Sequence, residues 1–276
     1  MPHAPDVAFD AVEPARFETR LSRFHGTATR RDSGAEVLVH IPNSGRLAEV
    51  LRPGAPIAIT PRSGRKRRTS HDVALVAVAE HEQSPRAAGT PEGETLRRWW
   101  GEDAPRVWAS VDARLPPRII TAAAARGAIP GLKGATLLQT EPKLGVGRAD
   151  LLFEVPGRRW PVLVEAKSTT LVRDGIGLFP DSPTVRGAAQ VAALARDRRP
   201  GIVVIVCQRP DADAVAVNAA VDGRFASTIA DAVAMGVVVL AGVCTVSTDG
   251  VRWRGTVPVH GLGGGIDRRW RPEDVR

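Results

Sequence analysis

The sequence predicts a mixed α+β protein of two domains, a small N-terminal β-barrel followed by an α/β layer. Three observations lead there. The chain has 276 residues, more than one compact domain usually holds. Residues 15–80 break into short strands joined by Gly/Pro turns, the texture of a small closed barrel. Beyond residue 105, helical stretches alternate with apolar runs of strand length.

In chain order, residues 1–14 are rich in Pro and acids and are expected to be disordered. RFETRLSRFHGTATR alternates as a strand pair, AEVLVHIP is a strand running into the turn PNSGR, and APIAIT and DVALVAVAEH supply two more. Between these last two lies PRSGRKRRTSH, which packs Arg62, Arg65, Lys66, Arg67 and Arg68 into one loop. Residues 81–105 lose the alternation and gain Pro, Gly and charge, as a linker would, although Trp99 and Trp100 inside them call for a packing partner.

The second domain is expected over residues 106–258, with a basic flexible tail over 259–276. TAAAARGA reads as a short helix, and GATLLQT, ADLLFEV and PVLVEAK read as strands. A helix follows over 184–196, with Ser182 as N-cap and Pro183 in its first turn. GIVVIVCQ and VVVLAGVCTV are apolar throughout, as expected of strands covered on both faces. The helix between them, RFASTIADAVAMG, stops at Gly236.

The formal charge of +8 favours polyanions, nucleic acid before an anionic membrane surface, although a genome-wide Arg bias would also raise it. Two cysteines, Cys207 and Cys244, both in apolar runs, fit buried free thiols in a reducing compartment. The N-terminus lacks the apolar stretch of a signal peptide, and the longest apolar segment, residues 237–246, is too short to cross a bilayer. A cytoplasmic protein is expected, with no membrane partner.

PVLVEAKS carries the chemistry. Strand alternation sets Val162 and Val164 on one face, toward the core, and Glu165 and Lys167 together on the other, projecting into a cleft. Asp150 opens the preceding strand, and a hairpin at VPGRRW brings it alongside. Two carboxylates can hold Mg²⁺ or Mn²⁺, and an adjacent ammonium can orient or deprotonate water and offset phosphate charge. On E-x-K alone, a solvated Glu–Lys pair at a strand surface is the more common explanation; with the apolar run and the upstream Asp the two readings stand level.

Four segments in order, LVHIPNSGRL, TEPKLGVGRADLLFE, VLVEAKSTTL and LFPDSPTVRGAAQ, resemble signature segments of the sugar fermentation stimulation protein family (SfsA). The resemblance implies an N-terminal OB-fold-like barrel joined to a restriction-endonuclease-like α/β domain of the PD-(D/E)xK type, with DNA binding as the associated activity. It places the family's acidic and basic positions on Asp150, Glu165 and Lys167, with Glu141 as an additional acid for the metal and Arg148 in a basic position. The sequence departs from the family at PDSPTVRG, at Gln190 where a His is common, and in the length of 81–105, which puts the helix face near Gln190 in doubt.

As an OB-fold, the barrel would contact phosphates through the loop Arg62, Arg65, Lys66, Arg67 and Arg68, and through the turn holding Asn43 and Arg46. Phe24 and His25 would stack on bases, although a lone strand Phe is more often core. The expected partner is therefore DNA, single- or double-stranded and bound without sequence preference; homodimerisation stays open. Two functions compete: a Mg²⁺- or Mn²⁺-dependent nuclease, and a catalytically silent DNA-binding regulator of sugar-metabolism genes.

Overall fold

The computed structural model describes residues 4–64, 68–78, 91–101, 107–145 and 147–262. Val7–Ala8 forms β1, followed by Glu13–Ser22 (β2), His25–Arg30 (β3), Glu36–His40 (β4), Pro56–Pro61 (β5) and His71–Val78 (β6). β2 to β6 pair in the order β4-β3-β2-β5-β6, and a parallel pairing of β4 with β6 closes the ring into a five-stranded barrel. Inward residues such as Phe17, Ala28, Val39, Ile57, Ile59, Val73 and Val76 fill it. The strand expectations for this region hold.

Pro91–Trp100 (α1) and Val107–Ser110 (β7) come next, and β7 extends the barrel sheet on β6. The linker expected over 81–105 therefore contains a helix, and its remaining residues other than Gly101 lie outside the described ones. Trp99 finds the partner it needed, standing edge-on to the fully buried Trp108 with centroids 5.9 Å apart.

The remaining elements are Pro116–Ala125 (α2), Thr136–Thr140 (β8), Lys143–Leu144 (β9), Gly147–Arg148 (β10), Leu151–Glu154 (β11) and Val162–Thr169 (β12). Then come Val172–Arg173 (β13), Ile176–Phe179 (β14), Val185–Arg196 (α3), Gly201–Cys207 (β15) and Ala214–Val217 (β16). Gly223–Ala234 (α4), Val238–Ser247 (β17), Gly250–Val257 (β18) and Val259–His260 (β19) complete the chain's elements. A seven-stranded sheet runs β1-β18-β17-β15-β12-β11-β8, with β12, β15 and β17 mutually parallel at its centre. The parallel centre explains the unbroken apolar runs, because both faces are covered. α2 covers one face through Ile119, Ile120, Ala123 and Ala124, and α3 and α4 cover the other through Val191, Leu194, Phe225 and Ile229. The fold is thus the expected OB-fold-like barrel followed by a restriction-endonuclease-like α/β domain.

Three expectations need correction. Residues 1–14 are not disordered where they are described: Val7 and Ala8 pair with Val251 and Gly250, and Asp6 accepts from the Trp253 amide at 2.7 Å and from Arg126. A Pro-rich composition masked two residues that finish a sheet edge. The helix α3 is capped by Thr184, whose hydroxyl accepts from the Gly187 amide at 3.1 Å, and not by Ser182. Asp222 bonds the Thr184 amide at 2.7 Å and caps α4 at Phe225, so one carboxylate ties both helix starts together. The tail begins with a strand, β19 on β16, and residues 263–276 lie outside the described ones.

Cys207 and Cys244 are buried free thiols, as expected. Among the described residues no helix is long and apolar enough to cross a membrane. Gly242 on β17 lies directly under the Trp253 indole of β18, where a β-carbon would overlap the ring. Gly242→Ala is therefore expected to lower unfolding free energy by about 1–3 kcal/mol in urea titration, through overpacking.

Candidate functional site

β11 and β12 form the hairpin expected from the sequence, with Leu151 opposite Val164. Val162 and Val164 pack toward α2, while Leu163 packs toward α3 and α4. Glu165 and Lys167 share the α3 face with Leu163, since side chains alternate along a strand. The expectation of a shared face holds, but the two do not project into an open cleft. Glu165 is 1% exposed and Lys167 9%, because α3 closes over them.

Asp150 sits where the chain enters β11, and its amide donates to the Val164 carbonyl at 3.2 Å. Its Oδ2 accepts from the Ala166 amide at 2.7 Å, which aims the carboxylate along β12 toward Glu165. Lys167 Nζ donates to Glu165 Oε1 at 2.5 Å and to Gln190 Oε1 at 3.1 Å. Glu165 Oε2 is buried and has no hydrogen-bond partner among the described residues. A buried, unsatisfied carboxylate oxygen costs free energy unless something positive or protic meets it.

Burial pushes Glu165 up to about 7, opposed by Lys167 and reinforced by Asp150. Burial also raises Asp150, opposed by the Ala166 amide and by Lys167. Two carboxyls that both resist ionisation beside an ammonium mark a functional site more often than a structural ion pair. Two oxygen-donor groups with an open oxygen fit a hard divalent cation.

Glu141 stands differently. Its amide bonds the Asp150 carbonyl at 2.8 Å, yet its carboxylate is 70% exposed and pairs with Arg148 at 2.9 Å. Among the described residues no three His, Cys, Asp or Glu side chains group closely enough to hold a metal. The structure therefore brings Asp150, Glu165 and Lys167 together, with Glu141 and Arg148 as a solvent-facing pair beside them.

Two further residues reach the site from α3. Gln190, noted in the sequence only as a departure, holds Lys167 from across the interface. Arg186, in the first turn of α3 and exposed, lies close enough to favour the ionised forms of both Asp150 and Glu165. No local signal marks Arg186, because only packing of α3 against β12 places it.

On the barrel, Asn43 is committed to structure. Its side chain donates to the Val111 carbonyl at 2.9 Å and accepts from the Gly45 amide at 2.7 Å. Arg46 is exposed in the same turn. Arg62 pairs with Asp72 at 3.3 Å and with Asp10 at 3.5 Å. Arg68 is exposed, and Arg65, Lys66 and Arg67 lie outside the described residues.

Comparison with known proteins agrees with this layout. A family model described as the sugar fermentation stimulation protein RE domain matches residues 114–250, and one described as the SfsA N-terminal OB domain matches 19–82. A sugar fermentation stimulation protein homolog of Natranaerobius thermophilus is 31% identical, covering 91% of this chain and 95% of its own. One of Moorella thermoacetica is 36% identical, covering 83% and 88% respectively. The solved structure of Pyrococcus furiosus SfsA in complex with Ca²⁺ superposes with a TM-score of 0.77 at 23% identity, over 94% of this chain and all of that one.

Proposed function

Because the chain belongs to the sugar fermentation stimulation protein family, we propose that it binds DNA and holds Mg²⁺ or Mn²⁺ on Asp150 and Glu165 to hydrolyse phosphodiester bonds. The observation that carries the reading is Glu165 Oε2, buried and without a hydrogen-bond partner among the described residues, beside a second carboxylate and an ammonium. The fold relative from Pyrococcus furiosus was solved with Ca²⁺, a hard cation of the class that paired carboxylates select. The PD-(D/E)xK pattern expected from the sequence supplies the same three residue types.

A divalent cation at such a site would offset phosphate charge and acidify a nearby water. The chain's own residues do the rest. Lys167 spends two of its three N–H donors on Glu165 and Gln190, which leaves one for a water or phosphate oxygen. Gln190 fixes the ammonium from α3, so its position does not depend on Glu165 alone. Arg186 offers a guanidinium at the mouth of the site, suited to a phosphate oxygen. The Ala166 amide holds Asp150 in place. DNA binding rests on the basic balance of the chain and on its barrel, and it should weaken steeply with salt.

The competing reading is a DNA-binding regulator of sugar-metabolism genes without turnover. It is favoured by Glu141, whose exposed pairing with Arg148 leaves two carboxylates where a third was expected. Supercoiled plasmid and single-stranded DNA incubated with Mn²⁺ separate the two. Wild-type protein is expected to cut, and Lys167→Ala to cut at least about a hundredfold more slowly. Undiminished cutting by Lys167→Ala would remove the lysine from the assignment. Binding without cutting by the wild type selects the regulator.

A further inference from the structure

Among the described residues, eight large apolar side chains are exposed, and three of them (Leu21, Phe24 and Leu38) lie on the barrel surface formed by β2, β3 and β4. The register pairs His25 with His40 and Thr27 with Leu38, so Leu38 and His40 share the face opposite the buried Val39. The Phe24 ring lies 6.2 Å from the His40 ring, tilted by 31°, and His25 meets His40 at 5.9 Å. Phe24 is 40% exposed. The surface thus carries three clustered rings with flanking leucines, where a soluble barrel would ordinarily place polar residues.

Arg23 directly precedes Phe24 in the turn between β2 and β3. Arg20 donates to the carbonyls of Arg23, Gly45 and Arg46, clamping two turns together. Arg23 and Arg46, which those turns present, are exposed and make no side-chain hydrogen bond or ion pair among the described residues. They line a groove of about 590 Å³ whose other wall is Ser182 and Pro183 of the second domain. The walls are in close contact, since a β-carbon on Gly45 would stand 2.7 Å from Asp181 Oδ2. Asp181 faces Arg20, so the cations left over on the groove are Arg23 and Arg46. Past Pro183 the chain enters α3, whose Arg186 faces the carboxylate pair.

We propose that the DNA taken by this protein is single-stranded where it contacts the barrel, with unstacked bases on Phe24, His25 and His40. Its backbone then follows Arg23 and Arg46 through the groove to Arg186 and the Asp150–Glu165 site. The proposal rests on the DNA-binding reading above and adds strandedness and direction to it. Strandedness follows from the rings, because a duplex hides the base faces that an aromatic surface stacks on, whereas every unpaired base offers one. The path follows from the groove, whose lining runs from Ser22 and Arg23, next in the chain to Phe24, to Ser182 and Pro183 just ahead of α3 and its Arg186.

The test is fluorescence anisotropy with full-length protein in EDTA, which prevents cutting, using labelled oligothymidylate and the same strand annealed to oligoadenylate. The single strand is expected to bind at least about tenfold more tightly than the duplex. Phe24→Ala, an exposed position that the fold does not need, should lower single-strand affinity about tenfold and leave duplex affinity unchanged. Arg23→Gln with Arg46→Gln should weaken single-strand binding and flatten its salt dependence. Duplex binding equal to or tighter than single-strand binding, or a Phe24→Ala variant that binds the single strand normally, overturns the proposal while DNA binding stands. If neither form binds, the DNA-binding reading fails as well.

Discussion

Asp211→Ala is expected to destabilise the protein by about 3–5 kcal/mol, the cost of stranding a buried charge. Arg209 is 5% exposed and Asp211 2%. The pair is bidentate, Nε to Oδ1 at 2.9 Å and Nη2 to Oδ2 at 2.5 Å, and the third arm of Arg209 donates to the Thr170 carbonyl at 3.1 Å. Thr170 directly follows β12, so this ion pair anchors the end of the strand that carries Glu165 and Lys167. In a protein of this size the loss corresponds to a fall in Tm on the order of 10 °C. Removing both partners, as in Arg209→Met with Asp211→Leu, should recover most of it, since no unpaired charge is left. Calorimetry on the single and double variants checks this; a single variant as stable as the wild type would mean that water already screens the guanidinium.

Addition of Mn²⁺ is expected to raise Tm by several degrees above pH 7 and to have little effect near pH 5.5. The sign follows from Glu165. Its ordinary value of 4.5 is pushed up to about 7 by burial, so the metal-free folded state binds a proton that the unfolded chain has released. The associated stability is fully present below pH 4.5 and is lost as pH rises through 7. Above that, the folded protein carries a buried carboxylate with an unpartnered oxygen, and a cation can take the place of the missing proton. At a hundredfold excess over Kd the cation would add about 2.7 kcal/mol. Thermal melts with and without Mn²⁺ across this pH range measure it. A shift of equal size at both pH values would place the cation away from Glu165.

Much of this architecture was legible because period-2 alternation and turn residues are local signals. AEVLVHIP, APIAIT and DVALVAVAEH became barrel strands, and GIVVIVCQ and VVVLAGVCTV became the buried parallel centre. The E-x-K spacing correctly placed Glu165 and Lys167 on one strand face. What it could not convey was depth, because burial of that face depends on α3 packing from residues 185–196. For the same reason Arg186 carries no signal of its own, and Gln190 shows only as a departure from the family pattern. Local sequence does not fix the cap of α3, because Ser182 and Thr184 are both good N-caps and the choice is made by Asp222, far along the chain. β1 has no local signature, since two residues have no period and their pairing partners, Val251 and Gly250, lie far along the chain.

Asp150 and Glu165 together are expected to hold a divalent cation. Isothermal titration of Mn²⁺ into the metal-free protein at pH 8 tests it most directly, with Asp150→Asn and Glu165→Gln alongside. Asparagine at 150 can still accept from the Ala166 amide, so the local fold should be kept. The wild type is expected to bind one ion with saturation, and each variant to lose that binding. Unchanged binding in both variants, or no binding by the wild type, would mean that Asp150 and Glu165 do not form a divalent-cation site.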